Sequence, residues 1–201
     1  MPYSQFTIDV IPTTFGYTIS EKIGMFTNIP EVTYSELLAQ ILQEYIPIAI
    51  AIGTEKSRSE FIIAPLLFEI KRQLPTRVSL FSGNEFNVAP DRGLSGFCDF
   101  IISRSSEQLF IQAPVVTIVE AKNDNIQSGL GQCIAEMIAA QIFNERQGNP
   151  IKTIYGVVTT GSVWKFLQLN DKIITVDLDE YFINNVGKIL GILRSFVESN
   201  S

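Results

Sequence analysis

Two apolar runs, each interrupted by acidic residues, constrain the fold of this chain more than any other feature. The first run is Phe-Cys-Asp-Phe-Ile-Ile-Ser at residues 97–103, with Asp99 inside it, and the second covers residues 115–122 and ends in Glu120 and Lys122. Nearly continuous apolar runs are typical of central strands that other elements cover on both faces. We therefore expect an α/β protein in which helices flank a mixed sheet in a two-layer or three-layer sandwich.

The other elements are predicted from hydrophobic spacing and from helix and turn signals. The capping box Thr33-Tyr-Ser-Glu36 opens the first helix, and the apolar residues 46–52 can prolong that helix or form a strand. Pro65 is expected to kink the second helix. The first 30 residues are predicted to form one or two short strands or an extended arm. Helices are predicted over about residues 33–45, 54–74, 126–146 and 180–198, and strands over 78–81, 85–88, 97–103, 115–122, 153–159, 163–169 and 173–177.

The composition indicates one globular domain. The chain has 201 residues, of which 46% are hydrophobic and 18% are charged. We expect residues 1–53 to form an N-terminal extension packed on a core made of residues 54–201. The longest uncharged apolar run, residues 46–53, is too short to cross a membrane. The first residues show no basic segment followed by an apolar one, so a cytoplasmic location is expected.

The absence of histidine restricts the chemistry that this chain can perform. With no histidine, Ser-His and Cys-His nucleophiles and histidine-ligated zinc are excluded. Cys98 and Cys133 form no Cys-x-x-Cys motif, and their apolar surroundings predict reduced thiols in the core. Catalysis would therefore depend on carboxylates, lysines, hydroxyls and a hard metal ion.

Three carboxylates and a lysine are predicted to converge at one end of the sheet. Asp99 lies within a buried strand, where an unpaired carboxylate is costly. Glu120 and Lys122 are two residues apart and share one face of their strand. Glu60 precedes Ile63 by three residues, so it is expected to continue the buried stripe of its helix. Carboxylate oxygens at such a place favour Mg²⁺, beside which a lysine can stabilise charge on a phosphate.

Simpler explanations of these residues remain open. Asp99, Glu120 and Lys122 can form a salt bridge between neighbouring strands, and Glu60 can pair with Lys122 or cap a turn. A Glu-x-Lys pair alone has little weight, since a second copy occurs at residues 69–71. We exclude that copy because residues two apart on a helix point in different directions.

The pattern resembles the PD-(D/E)xK nucleases, the restriction-endonuclease-like superfamily. The residues that carry the resemblance are Asp99, twenty intervening residues, and Glu120-Ala121-Lys122, with Glu60 on the preceding helix. Gln132, ten residues after the lysine, resembles the additional glutamine of the subgroup that contains type I restriction motor subunits and RecB-like nucleases. Residues 155–169 also resemble a strand–turn–strand segment of several such proteins. Cys98 departs from the pattern, because it replaces the proline before the aspartate.

The resemblance implies an αβββαβ core and metal-dependent hydrolysis of phosphodiester bonds, with DNA as the expected polymer. Asp99, Glu120 and the carbonyl of Ala121 would hold Mg²⁺, for which Mn²⁺ can substitute, together with Glu60. Lys122 would position or activate water, and Gln132 would support the metal or the substrate. All of Glu60, Asp99, Glu120, Lys122 and Gln132 are thus expected in the site.

The net charge of −6 is unusual for a protein that binds a polyanion. A partner protein or a homo-oligomer is therefore expected to contribute to DNA binding. The alternative function is a catalytically inactive restriction-endonuclease-like domain that serves interaction or oligomerisation. Against that alternative, a purely structural domain could replace these buried charges with apolar residues at little cost in stability.

Overall fold

The computed structural model describes residues 2–198, and a mixed sheet of eight strands with helices on both faces forms its centre. This confirms the predicted α/β fold. The strand order across the sheet is β1-β7-β6-β5-β4-β3-β2, and β8 pairs with β6. The strands are β1 Thr18–Lys22, β2 Ser79–Glu85, β3 Phe97–Ser103, β4 Val115–Ala121, β5 Thr153–Thr159, β6 Val163–Asn170, β7 Ile173–Asp177 and β8 Tyr181–Phe182.

The helices divide into two layers. Helix α5 and the N-terminal segment cover one face of the sheet, and α2, α4 and α6 pack over the other face. Both layers are apolar where they meet the sheet, so the central strands are buried on both sides. The helices are α1 Ile11–Phe15, α2 Glu36–Ile52, α3 Glu55–Arg58, α4 Ala64–Gln73, α5 Ile126–Arg146 and α6 Val186–Glu198, with short 3₁₀ turns at Tyr3–Gln5, Ile8–Val10, Pro90–Arg92 and Ile183–Asn185.

The strands around the candidate site follow a simple path. Strands β2, β3 and β4 pair antiparallel in succession. Helix α5 then crosses over the sheet to β5, which pairs parallel with β4. The element order from α3 to β5 is therefore helix, three strands, helix, strand. The assignment of this core to the restriction-endonuclease-like superfamily stays a prediction.

Close packing of α5 on the sheet depends on a glycine in β5. A Cβ atom at Gly156 would lie 2.9 Å from Cys133 Sγ, and it would also meet Met137 Sδ. Cys98 and Cys133 are both buried free thiols, as predicted. The long helix thus presses directly against the strands that carry the candidate residues.

The first long helix differs from its prediction at both ends. Its N-cap is Ser35, whose hydroxyl accepts a hydrogen bond from Leu38 N at 3.2 Å, and not Thr33. The helix includes Pro47 and continues to Ile52, so the apolar residues 46–52 prolong it and form no strand. Burial of Leu38, Leu42 and Ala49 against the helix that follows favours this continuation.

The second helix is interrupted where the sequence predicts a kink. Thr54 caps its start by accepting from Ser57 N at 3.1 Å. A π-helical turn, Ser59–Ile63, separates α3 from α4 and directly precedes the first turn of α4, which contains Pro65. Proline lacks an N–H and its ring clashes with the carbonyl four residues earlier, so a widened turn at this point is expected.

Smaller differences between the predicted and the observed elements occur elsewhere in the chain. Residues 85–88 form no separate strand, because the chain turns away after β2 and Phe86 N donates to Gly96 O at 2.8 Å. The last helix begins at Val186 and not near residue 180, since residues 181–182 first pair with β6 as β8. The N-terminal segment supplies one strand, β1, which pairs parallel with β7.

Strand β1, from the N-terminal segment, belongs to the same sheet as the core strands. The division of the chain at residue 53 into an N-terminal extension and a core stays a prediction. Residues 199–201 of the predicted core lie outside the described residues. Within residues 2–198, no helix combines the length and the apolar character needed to cross a membrane.

Candidate functional site

The candidate site lies where β4 ends beside the beginning of β3. Phe100 of β3 faces Val119 of β4, so Asp99 and Glu120 occupy the next position along this strand pair. The carboxylate of Asp99 bonds to the neighbouring strand, since its Oδ2 accepts from Ala121 N at 2.8 Å. Asp99 is thereby fixed at the end of β4, as the sequence predicts.

Glu120 and Lys122 form a buried ion pair at this end of β4. Lys122 Nζ donates to Glu120 Oε1, and the two side chains are 18% and 2% exposed, respectively. Glu120 Oε2 is also buried, and it has no hydrogen-bond partner among the described residues. A buried carboxylate oxygen without a partner is costly, because it has lost its hydration and gained nothing in return.

The electrostatics of the pair reflect burial and a second carboxylate. Burial, and then the charge of Asp99, raise the pKa of Glu120, although Lys122 opposes this change. Burial by itself would lower the pKa of Lys122, but the adjacent Glu120 outweighs burial and holds that pKa above its usual value. Lys122 is therefore a cation at neutral pH, and an additional positive charge near Glu120 would favour its ionised form.

The position of Lys122 depends on a glycine of α5. A Cβ atom at Gly129 would lie 2.7 Å from Val158 Cγ1 and 3.0 Å from Lys122 Cγ. A Cβ at Gly131 would meet the backbone of Phe6 and Thr7. The Gly-x-Gly sequence thus allows close packing around the lysine and the N-terminal segment, and it is no phosphate-binding loop.

Glu60 is not on the buried face of its helix, so that expectation was wrong. Its side chain is 54% exposed and pairs with Lys56 at 3.0 Å. The reason is the π-helical turn Ser59–Ile63, which changes the angular spacing between Glu60 and the buried residues of α4. Glu60 nevertheless lines, with Asp99 and Ala121, a pocket of about 260 Å³.

Gln132 points along its own helix. Its Nε2 donates to Glu136 Oε1 at 3.1 Å, and Glu136 is fully buried. Burial, followed by the charge of Glu120, raises the pKa of Glu136 well above its usual value. Gln132 thus bonds to a buried carboxyl group that is close enough to Glu120 to be affected by its charge.

Glu136 is the residue of this region that the sequence reasoning missed. It is the sole charged residue between Cys133 and Phe143, so an isolated charge in a buried helix was the available signal. Its Oε2 has no hydrogen-bond partner within the part of the chain that is described. A buried polar atom of this kind is rare in folded proteins.

The excluded Glu69–Lys71 copy has a structural role. Glu69 Oε1 and Oε2 accept from Ser35 N and Ser35 Oγ at 3.0 and 2.8 Å, and Gln73 Nε2 donates to Oε1. Lys71 Nζ donates instead to the carbonyls of Pro75 and Val78. Glu69 thus joins α4 to the beginning of α2.

The polar turn after β5 is also satisfied internally. Thr159 Oγ1 donates to Val163 O at 2.8 Å, and Trp164 Nε1 donates to Gly161 O at 2.9 Å. Trp164 is fully buried. Arg58 Nη1 bonds to this turn at Ser162 Oγ, at 3.2 Å.

The structure thus brings Asp99, Glu120, Ala121 and Lys122 together and places Glu60 in the lining of the same pocket as Asp99. Within residues 2–198, no three acidic, cysteine or histidine side chains are close enough to form a ready metal site. Asp99 and Glu120 still fit a divalent cation, because the buried Oε2 of Glu120 lacks a partner. Glu60, paired with Lys56, does not join them in this arrangement.

No protein-family model matches the sequence, and no curated protein matches it at a significant level. The functional proposal therefore depends on the geometry at the end of β4.

Proposed function

We propose that this protein is a Mg²⁺-dependent nuclease that hydrolyses phosphodiester bonds in DNA. The observation that carries the proposal is the Glu120–Lys122 ion pair beside Asp99, in which one buried oxygen of Glu120 has no partner. The order of helices and strands from α3 to β5 supports the proposal, because it is compatible with the αβββαβ core that the resemblance implies.

Asp99 and Glu120 would hold the cation, with the carbonyl of Ala121 as a further ligand. When bound, Mg²⁺ supplies a Lewis acid that stabilises the negative charge of the reacting phosphate. Asp99 is already oriented by Ala121 N, so this carboxylate needs no rearrangement. Glu120 would exchange part of its contact with Lys122 for the cation.

Lys122 would act on the water and on the phosphate. Its ammonium group is charged and half-buried, and an ammonium in such a place stabilises developing negative charge more strongly than one in open solvent. Glu60 lines the same pocket as Asp99 and would orient water or substrate there. Gln132 would support the metal or the substrate indirectly, through its hydrogen bond to Glu136.

DNA binding requires positive charge in a protein whose net charge is −6. Lys56 lines the pocket with Asp99, and Arg58 follows on the same helix. A partner protein or a second copy of the chain would supply the remaining contacts to phosphates. The cytoplasmic location stays a prediction.

A cleavage assay with labelled DNA in Mg²⁺ or Mn²⁺ tests the proposal. We expect the Glu120→Gln and Lys122→Ala variants to lose cleavage and to keep a folded structure by circular dichroism. Matched changes at exposed residues, Glu145→Gln and Lys172→Ala, should leave the cleavage rate unchanged. Full activity in both site variants would show that the site is elsewhere or absent.

The second candidate is an interaction module that no longer cleaves. The observation in its favour is a pair of exposed apolar side chains one turn apart on the same face of α2, Ile48 and Ile52. Sedimentation analysis of the wild-type protein separates the candidates. A stable oligomer that depends on Ile48, together with no cleavage of any DNA, would favour the interaction module.

A further inference from the structure

A second, larger pocket adjoins the carboxylate pocket. It has a volume of about 420 Å³ and lies between α2, α4 and the paired strands β2 and β3. Leu37, Tyr45 and Phe68 line it, and the buried ring of Phe100 lines it from the sheet. Ligand sites in proteins fall in this range of volumes, and their walls are mostly apolar.

Two residues belong to both pockets. Glu60 and Ser82 line the apolar pocket as well as the pocket that contains Asp99 and Ala121. A molecule bound at the carboxylates can therefore extend into the apolar pocket without crossing the bulk of the protein. The occupant of the apolar pocket is thus expected to be part of the substrate itself.

The chemistry of the apolar pocket fits a flat aromatic ring. Tyr45 packs edge-on against Phe61, with ring centroids 5.4 Å apart, which restricts the orientation of the tyrosine. The side chain of Phe68 is 61% exposed, although phenylalanine is usually buried. Arg72 is exposed and also lines the pocket, where its guanidinium can contact a phosphate or stack on a ring.

We propose that this pocket binds an unstacked nucleobase of the substrate, next to the phosphodiester that is cleaved. The inference rests on the proposed nuclease function and narrows its substrate to single-stranded DNA or to unpaired ends. A base inside a duplex is paired and stacked on its neighbours, so it cannot enter a pocket beside the scissile bond. A single-stranded base has no pairing to lose, and aromatic side chains bind its face without regard to sequence.

The test uses a short single-stranded DNA that contains 2-aminopurine, whose fluorescence falls when the base stacks on an aromatic ring. Binding is measured in the Glu120→Gln background, so cleavage does not interfere. We expect Phe68→Ala to weaken binding roughly 10- to 100-fold, the range expected for loss of one stacked base. Phe110 is the matched control, because it is 59% exposed and lies on the loop between β3 and β4, outside the pocket.

A second arm compares cleavage of single-stranded and fully paired DNA by the wild-type protein and by Phe68→Ala. The nucleobase pocket predicts faster cleavage of the single strand and a higher KM in Phe68→Ala, with Phe110→Ala unchanged. Equal binding by Phe68→Ala and Phe110→Ala, or equal cleavage of duplex and single strand, would overturn the proposal that the pocket binds a nucleobase. Neither result would contradict the proposed nuclease function. If binding depends on Phe68 but the protein cleaves no DNA, the proposed nuclease function is wrong and the nucleobase-binding role of the pocket is kept.

Discussion

Glutamates 69, 120 and 136 are all buried, but their hydrogen-bond partners differ. Both oxygens of Glu69 accept hydrogen bonds from Ser35, and Gln73 adds a third. Glu120 and Glu136 each keep one oxygen without a partner among the described residues. Full satisfaction is typical of a structural residue, whereas a buried orphan oxygen is a place where a cation or a proton is favoured. This difference separates the role of Glu69 from that of Glu120.

The structural role of Glu69 gives a prediction about stability. Replacing it with glutamine removes the charged acceptor for Ser35, so the free energy of unfolding should fall by about 1–3 kcal/mol near neutral pH. Chemical denaturation monitored by circular dichroism measures this change. Glu44→Gln, the same change at an exposed position of α2, serves as the control for general effects of substitution.

The effect of Glu69 should depend on pH. Burial favours the neutral acid, but the hydrogen bonds from Ser35 and Gln73 outweigh burial, and the pKa of Glu69 is lowered in the folded protein. The ionised carboxylate therefore stabilises the fold above its unfolded pKa of about 4.3, and this contribution is lost as the pH falls through the lower folded pKa. The stability difference between wild type and Glu69→Gln should shrink from about pH 6 to about pH 3. A difference that does not change with pH would contradict the role of the charge.

At the scale of elements, packing of α5 against β4 and β5 determines the geometry of the ion pair. Gly129 leaves room for the stem of Lys122. We expect Gly129→Ala to move Lys122 away from Glu120, to lower the free energy of unfolding by about 1–3 kcal/mol and to reduce cleavage. Ser128→Ala, an exposed position of the same helix, should cleave normally. Normal cleavage by Gly129→Ala would show that Lys122 needs no such support.

The elements also show how far the sequence determines the structure. Strand β3, helix α5 and strands β5 and β7 have the bounds predicted from their apolar patterns, because turn-forming residues such as Gly148-Asn149-Pro150 and Asn170-Asp171 bound those patterns. The place of Asp99, Glu120 and Lys122 at the end of β4 follows from those strands. The exposure of Glu60 could not be predicted, since a π-helical turn changes the phase of a helix without a signal in hydrophobic spacing. The apolar pocket beside Glu60 was missed for a different reason, because it depends on how α2, α4, β2 and β3 pack against one another, which the hydrophobic spacing within each element does not specify.

At the scale of the whole molecule, the net charge of −6 limits how many phosphates the protein can contact alone. If both proposals hold, Arg72 is one of these contacts, since it lines the pocket proposed for the nucleobase. Arg72→Ala should then lower the slope of log binding constant against log salt concentration by about 0.7, the value for one contact to a single strand. Arg194, which pairs with Glu198 at 2.9 Å in α6, is the matched control. An unchanged slope in Arg72→Ala would remove this arginine from the DNA interface.

The most direct measurement of the central claim is Mn²⁺ binding by calorimetry, in the presence of a phosphorothioate DNA strand that resists cleavage. The DNA makes substrate phosphates available as ligands, and wild type is compared with Glu120→Gln and Glu145→Gln. We predict that wild type and Glu145→Gln bind the cation and that Glu120→Gln does not, because Glu120 holds the buried oxygen that lacks a partner. Equal binding by all three proteins, or no binding by wild type, would contradict a metal-dependent site at the end of β4.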